Sequence, residues 1–433
     1  MSAEKRLALL SRLLAHVRER LQFAPGFILW DGSRIPAGYP DDGLAIAIAD
    51  EGAVAALIRS PRIPTLANLW AAGRIDIRNG DVFDLVAAKP PVRTRAFRRM
   101  LDRRLALRTL AQFLFVPRGG PWPLEKVDRS APSDGDPDAN RRNISYHYDV
   151  SNAFYRLFLD EEMVYTCAYF RNPGATLEQA QFDKLEMTCR RLRLKPGEHF
   201  LDIGCGWGAL MAHAVTRFGV IAHGVTLSTR QAELAQERFR RLGIADRCTV
   251  ELCDYSQLDG AERFDKIASL GMIEHVGIAN YPTYFGTVSR LLKPGGLLLN
   301  HGITRPGKTA TKKRKRADFA ALTRYIFPGG ELDSLSGTLT AMERGGFEIR
   351  DVECWREHYM RTCREWHDRL KANREAAIAE VGEATFRVWL IYLAACSIAF
   401  ERNNVGIYQV LAQKRLKVPS TLPPTREDLY AGW

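Results

Sequence analysis

The sequence feature that most constrains the fold is the run Phe200-Leu201-Asp202-Ile203-Gly204-Cys205-Gly206-Trp207-Gly208. Apolar residues lead into an acid, three glycines stand at alternate positions, and residues 209–215 predict a helix. A buried strand, a glycine turn and a helix form the βα unit that places a nucleotide-like ligand at the carboxyl edge of a sheet. The spacing is G-x-G-x-G, whereas a dinucleotide pyrophosphate is bound by G-x-G-x-x-G. This difference favours a cofactor without phosphates, S-adenosyl-methionine first, with an ordinary tight turn of an α/β domain as the alternative.

Strands and helices alternate along the chain around this turn. The predicted strands are residues 200–203, 220–226, 248–253, 264–270, 297–301 and 347–352, with helices at 177–192 and 229–241. This alternation predicts a parallel, doubly wound sheet whose ligand lies across the carboxyl ends of the strands. The residues that collect at that edge are Asp202 to Gly208, Thr226 to Ser228, Asp254, Tyr255, Leu270 to Glu274 and His301.

The length of the chain indicates more than one domain. A chain of 433 residues exceeds one ordinary hydrophobic core, so two domains are expected. We predict a smaller N-terminal α+β domain over residues 1–116, a linker over residues 117–142 and a catalytic domain over residues 143–433. The linker is rich in proline, glycine and small polar residues, and we expect no regular element in it.

Composition restricts the cellular setting. Eight cysteines are scattered without a C-x-x-C pair, which indicates a reducing cytoplasm and argues against a disulfide framework or a metal site. No apolar run approaches the roughly 20 residues that span a bilayer. The net charge of +12 implies an anionic partner without distinguishing nucleic acid, membrane and substrate. Residues 93–115 interleave arginines with apolar residues, which fits a helix lying on an anionic membrane or, as we favour from the sequence alone, a packed helix with a solvated polar face.

Three residues at or near the predicted sheet edge have side chains that can carry chemistry. Glu274 directly follows a strand, where a carboxylate can act as acid, base or charge partner. His301 ends the next strand, and Cys167 lies in a short aromatic segment. Each of them alone is more often a structural residue, because satisfied core histidines and inert buried cysteines are common.

From Asn143 onward the chain resembles the cyclopropane-fatty-acid synthase family, which includes the cyclopropane-fatty-acyl-phospholipid synthases and the mycolic acid cyclopropane synthases. The motifs occur in the family's order and together are highly specific. They are Tyr148-Asp149-x-Ser151-Asn152, Tyr165-Thr166-Cys167-Ala168-Tyr169-Phe170, the glycine turn, Gly224-Val225-Thr226-Leu227-Ser228, Met272-Ile273-Glu274-His275-Val276-Gly277 and Ile326-Phe327-Pro328-Gly329-Gly330.

The resemblance implies a fold and a reaction. The fold is a class I methyltransferase domain, Rossmann-like and doubly wound, with a cap insert on the lipid side. The reaction moves the methyl of S-adenosyl-methionine onto a cis double bond of an acyl chain, and a bound bicarbonate ion takes a proton as the ring closes. The bicarbonate-holding positions match Cys167, Glu274, His301, Ile303 (through its backbone) and Tyr359. The cofactor positions match Tyr165, Thr166, Gly204, Gly206, Thr226, Leu227, Gln231, Asp254 and Tyr255, to which the glycine turn adds Asp202.

The implied partners are unsaturated phospholipid acyl chains and the anionic inner face of the membrane, with the protein cytoplasmic and peripherally bound. The basic segment 305–316 is predicted to contact lipid headgroups, since clustered Lys and Arg each contribute roughly 1 kcal/mol near an anionic leaflet. We expect no nucleic-acid substrate, because the Asn/Asp-Pro-Pro-aromatic signature of amino-methylating enzymes is absent. A homodimer through the N-terminal domain fits the family. The same motifs also suit an enzyme whose product is methyl-branched, methylene-bearing or methyl-unsaturated.

Overall fold

The computed structural model describes residues 2–88, 101–126, 150–307, 330–420 and 422–432. Within these residues the chain forms two compact units. The first holds the described residues up to 126 together with 381–394, and the second holds the rest. Residues 381–394 therefore group with the N-terminal unit, although the sequence analysis placed them in the catalytic domain.

The first unit is a small α+β fold, as predicted. Its four-stranded sheet has the order β2-β1-β3-β4, in which β1 and β3 are parallel and the other neighbours antiparallel. Its elements are α1 (Ala3–Leu21), β1 (Gly26–Ile28), β2 (Arg34–Ile35), β3 (Ala45–Ile48), α2 (Glu51–Arg59), α3 (Ile63–Ala71), β4 (Ile75–Arg78), α4 (Val82–Ala87) and α5 (Arg103–Phe113).

Helix α5 lies within the basic segment 93–115. Residues 101–115 of this segment are described, and residues 93–100 lie outside the described residues. Phe113 is fully buried in the core of this unit, beside Leu10 and Phe27. On other sides of the same segment, Leu107 is 68% exposed and Phe115 is 93% exposed. The helix is therefore packed, as favoured, and it also presents apolar side chains to solvent.

The first part of the predicted linker is ordered, which corrects the expectation of no regular element there. A 3-10 turn forms at Pro123–Lys126, and the Leu124 N–H donates to Asn68 Oδ1 at 2.9 Å. The Arg118 carbonyl accepts from Arg74 Nη2 at 2.7 Å. These bonds hold residues 118–126 to the first unit, and residues 127–142 lie outside the described residues.

The second unit carries the seven-stranded sheet. Its strands are β5 (His199–Ile203), β6 (Ile221–Thr226), β7 (Cys248–Leu252), β8 (Phe264–Leu270), β9 (Leu292–Thr304), β10 (Phe347–Cys354) and β11 (Gly406–Lys414). Its helices are α6 (Asn152–Arg156), α7 (Leu177–Arg191), α8 (Ala209–Phe218), α9 (Thr229–Arg241), α10 (Ile273–Val276), α11 (Tyr281–Leu291), α12 (Leu335–Arg344), α13 (Arg356–Ala372), and α16 (Glu427–Tyr430). Two further helices, α14 (Arg374–Val381) and α15 (Glu383–Glu401), are each divided between the units. Residues 381–394 belong to the first unit, and the other residues of both helices belong to the second.

The sheet order is β10-β11-β9-β8-β5-β6-β7. Strands β5 to β9 pair in parallel, and β11 pairs antiparallel with both β9 and β10. The prediction of an all-parallel sheet was therefore wrong at one edge, because it ended at residue 352 and left β11 out. The predicted doubly wound arrangement is confirmed, since one apolar core forms with α7, α8 and α9 and a second forms with α11 and α12.

Helix α15 requires a further correction. By length and composition it is apolar enough to cross a membrane, although the sequence analysis found no such run. Half of its apolar window is buried in the protein, and core helices meet the same criterion. Its Arg387 donates to the Trp70 carbonyl at 2.6 Å and to Asp76 Oδ1 at 2.9 Å. The arginine is thus held by the first unit itself.

Candidate active site

The glycine turn joins β5 to α8 and has three glycines in the left-handed region, with φ of +77° at Gly204, +53° at Gly206 and +78° at Gly208. A Cβ on Gly204 would lie 2.5 Å from Met272 Cγ, and one on Gly208 would lie 2.7 Å from Phe239 Cζ. A Cβ on Gly206 would meet no atom within 4 Å. Packing therefore accounts for two of the glycines. Gly206 instead leaves its backbone open to a ligand.

The end of β6 supplies a buried hydroxyl and amide. Thr226 Oγ1 donates to Gln231 Oε1 at 2.8 Å and accepts from the Ser228 N–H at 3.2 Å. Leu227 between them is half-buried. The structure thus brings Thr226, Leu227 and Gln231 together beside the glycine turn, since β5 and β6 are neighbours in the sheet.

The end of β7 carries an acid and a tyrosine. Asp254 Oδ1 accepts from the Ser256 N–H at 2.9 Å and from Ser256 Oγ at 2.6 Å, so the carboxylate has a fixed orientation. The Tyr255 ring packs edge-on against Tyr284 with centroids 5.0 Å apart. Burial raises the pKa of Tyr255 well above its usual range, so its hydroxyl stays neutral.

Tyr165 and Thr166 precede the sheet in the chain. The Tyr165 ring lies 5.3 Å from that of Tyr155 and 5.1 Å from that of Trp366, measured between centroids. Thr166 Oγ1 accepts from Lys184 Nζ at 2.9 Å. These contacts build an aromatic wall with one hydroxyl held by a cation.

Lys184 is a site residue that the sequence analysis missed. Its side chain on α7 is buried, and burial lowers its pKa to about 8 although Asp160 and Asp202 act in the opposite direction. Burial in turn raises the pKa of Asp202 to about 7, and Lys184 opposes that shift. The sequence does contain an indication of this burial, because Lys184 lies on the same face of α7 as buried residues such as Leu177. A lysine on such a stripe indicates a buried partner.

Glu274 on α10 is linked to β9 by a hydrogen bond. Its Oε1 accepts from the Ile303 N–H at 2.6 Å, and its buried Oε2 has no partner among the described residues. Burial raises the pKa of Glu274 to about 7, against the lowering effect of the Ile303 N–H. The predicted role of Ile303 was to hold an anion through its backbone. In this structure its N–H donates to Glu274, and the contact between its backbone and an anion stays a prediction.

His301 lies two residues before Ile303, on the same side of β9. It is 2% exposed, and neither ring nitrogen has a hydrogen-bond partner in the part of the chain that the structure describes. Burial, followed by the positive charges of Lys184 and Arg191, lowers its pKa to about 3. The imidazole is therefore neutral. Its ring meets Trp355 edge-on at 5.2 Å between centroids.

Cys167 and Tyr359 complete the predicted set. Cys167 Sγ lies 3.3 Å from the Ala168 carbonyl and 3.8 Å from that of Trp355, the residue against His301. Burial raises the pKa of the Cys167 thiol well above its usual range, so the group is not a thiolate. Tyr359 is half-buried and packs on Phe400 at 4.7 Å between centroids.

Burial also raises the pKa of the Tyr359 phenol, with smaller contributions from Cys363, Cys167, Cys396 and Glu274. Tyr359 therefore lies in electrostatic range of two of the other predicted residues. The five predicted catalytic residues are linked by these contacts around one region at the carboxyl ends of β8 and β9. That region offers a neutral imidazole, a neutral phenol and one carboxyl group inside aromatic walls. Such a set can orient a small anion and move a proton without bulk water.

The fold and the glycine turn define a class I methyltransferase that depends on S-adenosyl-methionine. Among solved structures, the cyclopropane synthase MmaA2 from Mycobacterium tuberculosis superimposes with a TM-score of 0.61 at 31% identity, covering 63% of this chain and 98% of that one. Mycolic acid cyclopropane synthase CmaA1 in complex with SAH and CTAB gives 0.60 at 34% identity over the same shares. Coclaurine N-methyltransferase, at 22% identity and a TM-score of 0.53, shares the fold.

The chain belongs to the mycolic acid cyclopropane synthetase family, whose model matches residues 136–410. The "Probable fatty acid methyltransferase" of Pseudomonas putida is 37% identical over 403 residues, which are 93% of this chain and 95% of that protein. Cyclopropane mycolic acid synthase 3 of Mycobacterium tuberculosis is 34% identical over 281 residues, 63% of this chain and 96% of that protein. The predicted family is confirmed, and the protein is a methyltransferase that uses S-adenosyl-methionine.

Proposed function

We propose that this methyltransferase transfers the methyl of S-adenosyl-methionine to the cis double bond of an unsaturated acyl chain of a membrane phospholipid and closes a cyclopropane ring. One observation carries the proposal. Three buried polar atoms of the predicted catalytic residues lack a hydrogen-bond partner among the described residues: Glu274 Oε2, in the helix that follows β8, and both nitrogens of His301, near the carboxyl end of the neighbouring β9. They lie beside the strand that ends in the glycine turn, because β5 pairs with β8.

The residues at the sheet edge fit the cofactor. When bound, S-adenosyl-methionine supplies an electrophilic methyl group. The open backbone at Gly206 lets the ligand approach closely, and the Thr226 and Gln231 pair offers polar atoms at the end of the next strand. Asp254 is held in a fixed orientation at the third strand. These residues bind and orient the cofactor, which is where an enzyme gains most for a weak nucleophile such as an alkene.

The aromatic walls fit an acceptor that becomes cationic. Addition of a methyl cation to an alkene leaves a positive carbon on the acyl chain, which water would trap. Tyr165 and Trp366 exclude water, and their ring faces stabilise a nearby positive charge. Their neighbours Tyr155 and Phe158 extend the same apolar wall.

The polar set fits a bicarbonate ion as the proton acceptor. The neutral His301 ring and the Tyr359 hydroxyl donate to anion oxygens, and Glu274 accepts the hydroxyl of the ion. When bound there, bicarbonate would supply a small base. The proton leaves the transferred methyl group, and its C–H bonding pair forms the third bond of the ring. Cys167, a neutral thiol, shapes the site instead of acting as the base.

A second product class has specific support. The P. putida relative that matches 93% of this chain bears the name fatty acid methyltransferase, whereas cyclopropane mycolic acid synthase 3 matches 63%. The same methyl addition gives a methylene or methyl-unsaturated chain if the proton is lost from a different carbon. A saturated methyl branch needs a hydride donor in addition. The residues described above suit ring closure and these other outcomes equally, so they do not distinguish the products.

The membrane part of the proposal rests on charge and on α5. The chain carries a net charge of +12, and α5 combines Arg103, Arg104 and Arg108 with the exposed Leu107. Peripheral binding to the inner, anionic leaflet brings the site to its lipid substrate. The basic residues 308–316 lie outside the described residues, so their contact with lipid headgroups stays a prediction. Dimerisation through the N-terminal unit also stays a prediction.

Lipid analysis of an expressing host tests the proposal. The protein is produced in a bacterium that lacks such enzymes, and total fatty acids are examined by mass spectrometry and proton NMR. We expect monounsaturated chains to gain one CH₂ and to show upfield ring protons. The same mass gain with vinyl or branched-methyl signals would replace ring closure by the second product class. Unchanged fatty acids in cells whose purified protein binds S-adenosyl-methionine would overturn a lipid acceptor.

A further inference from the structure

Gln409 on β11 is a fully buried amide that no part of the mechanism uses. It is 0% exposed, and neither Oε1 nor Nε2 has a hydrogen-bond partner in the regions that the structure describes. Leaving the donor and the acceptor of a buried amide unpaired is unfavourable, so such a side chain is expected to bind a polar neighbour.

The sheet register identifies that neighbour. Gln409 stands directly opposite His301 on β9 and opposite Glu353 on β10. Directly opposed side chains point to the same face, with Cβ atoms about 4.5–5.5 Å apart. His301 is the other buried side chain of this row whose polar atoms lack hydrogen-bond partners among the described residues. A terminal amide reaches an imidazole across that distance by a change of rotamer.

We propose that Gln409 is a positioning residue, whose amide binds one nitrogen of the His301 ring and thereby fixes which nitrogen faces the anion. The proposal rests on the proposed function for its catalytic consequence. A neutral imidazole has one N–H and one lone pair, and the bond to one nitrogen decides the state of the other. An amide can donate or accept, so it can hold the tautomer that points an N–H at the anion.

The nitrogen of His301 that turns away from the anion carries the lone pair, so it needs a hydrogen-bond donor. The charged neighbours of the ring are Lys184 and Arg191 on α7 and His358 on α13. Lys184 donates to Thr166, and Arg191 is paired with two carboxylates of β10.

Other buried donors near His301 have no partner among the described residues. One is Gln409 Nε2, directly opposite on β11, and another is Trp355 Nε1, whose ring meets that of His301 edge-on. The amide is the one that the sheet register places opposite the imidazole, and only its bond is lost when Gln409 is replaced.

The test compares two isosteric substitutions on one strand. Gln409→Met removes the amide opposite His301 and keeps its volume. Gln413→Met is the matched control, because Gln413 lies four residues along the same face, is 4% exposed and donates to the Gly295 carbonyl at 3.0 Å. The readouts are the bicarbonate concentration that gives half-maximal activity, kcat, S-adenosyl-methionine affinity and the histidine tautomers in ¹⁵N NMR of the intact protein, with the His301 signal assigned through His301→Asn.

We expect Gln409→Met to change the His301 tautomer signal and to raise the half-maximal bicarbonate concentration at least about tenfold, with cofactor affinity within about twofold. Gln413→Met should alter neither. An unchanged tautomer signal in Gln409→Met overturns the proposal whatever the activity. A changed signal in an enzyme that needs no bicarbonate supports the positioning role and refutes the proposed anion.

A second variant keeps the test decisive if Gln409→Met folds poorly. Gln409→Glu has the same shape, and its carboxylate stabilises the imidazolium of His301. The His301 imidazole should then take up its proton at higher pH than in wild type, as measured by ¹⁵N NMR titration of the assigned His301 signal. A His301 titration that is the same in Gln409→Glu and in wild type would show that the two side chains do not interact.

Discussion

Glu274 Oε1 accepts a hydrogen bond of 2.6 Å from the Ile303 N–H, while Oε2 of the same carboxyl group has no partner among the described residues. One oxygen thus fixes the side chain and the other is left for chemistry. Gln at this position keeps an acceptor for Ile303, but an NH₂ donor can take the place of the Oε2 that is proposed to accept the hydroxyl of the bicarbonate ion. We therefore expect Glu274→Gln to lower kcat about 10²–10⁴-fold, the usual range when proton transfer is impaired, with S-adenosyl-methionine affinity within about twofold.

The control for this variant is Glu331→Gln. Glu331 Oε2 also accepts from a backbone N–H, that of Ile278 at 3.0 Å, but the bond is exposed. Steady-state kinetics with unsaturated phospholipid vesicles and calorimetric cofactor titration measure both variants. A Glu274→Gln enzyme as active as Glu331→Gln would remove Glu274 from the chemistry.

Glu274 also predicts how stability depends on pH. Burial raises its pKa from 4.5 to about 7, so the folded protein holds this proton more tightly than the unfolded chain. The stabilisation is complete below the unfolded pKa and is lost as pH rises to about 7. From about pH 5.5 to about pH 8 the loss is about 2 kcal/mol for this group. Asp202, with a pKa near 7, shifts stability in the same direction.

Denaturant unfolding at the two pH values isolates the contribution of Glu274. The wild-type free energy of unfolding should fall by about 2 kcal/mol more than that of Glu274→Gln, which has no proton to lose there. Equal pH dependence in the two proteins would mean that the carboxyl group titrates at its ordinary value. Activity should rise through the same interval, because the ionised carboxylate is the form that accepts a hydroxyl.

A substitution at Gly206 tests whether the glycine turn binds the cofactor. Its φ is +53° and an added Cβ meets no protein atom, so Gly206→Ala should cost about 1–2 kcal/mol of local strain and leave the fold intact. The methyl group would enter the space proposed for S-adenosyl-methionine, and the dissociation constant should rise at least about tenfold. Gly243→Ala is the matched control, since φ there is +67° and its Cβ is equally free. Equal cofactor affinity in both variants would place the ligand elsewhere.

The Lys184→Met substitution tests whether the buried cation contributes to stability and to cofactor binding. Its removal leaves Thr166 Oγ1 without this donor and Asp202 without its positive neighbour, which should destabilise the protein by about 3 kcal/mol and weaken cofactor binding. Lys266→Met removes a cation of β8 that pairs with Glu198 at 3.6 Å. Thermal unfolding and cofactor titration compare the two. A loss of stability in Lys184→Met with unchanged cofactor affinity would make Lys184 a purely structural residue.

Much of the fold follows from periodicity and turn residues alone. Helix α9 and strand β8 have the predicted bounds, because a capped amphipathic helix and a short apolar run bounded by polar residues are strong local signals. Strand β11 was missed because its neighbours come from distant parts of the chain, and only the sheet order shows that it fills the place between β9 and β10.

The site was predictable to the extent that it follows motifs. The glycine turn, Thr226 and Asp254 lie at strand ends, where sequence and topology together place a ligand. Lys184 and Gln409 were missed because each is an ordinary polar residue in the sequence. Their roles follow only from the fold, which places Lys184 beside Thr166 and Gln409 opposite His301. No local pattern encodes that pairing. The hydrogen bond from the Ile303 N–H to Glu274 was not foreseen either, because it joins residues that are far apart in the chain.

The exposed apolar side chains in and just after α5 test the proposed membrane contact. Leu107 and Phe115 are 68% and 93% exposed, and α5 carries three arginines that suit an anionic leaflet. The double variant Leu107→Ala/Phe115→Ala should bind phosphatidylglycerol vesicles at least about tenfold more weakly, because insertion of apolar area supplies about 25 cal/mol per Å². Val418→Ala, at a 64% exposed valine of the second unit, should bind as wild type does. Vesicle co-sedimentation measures the difference, and equal binding by all three proteins would mean that α5 does not touch the lipid.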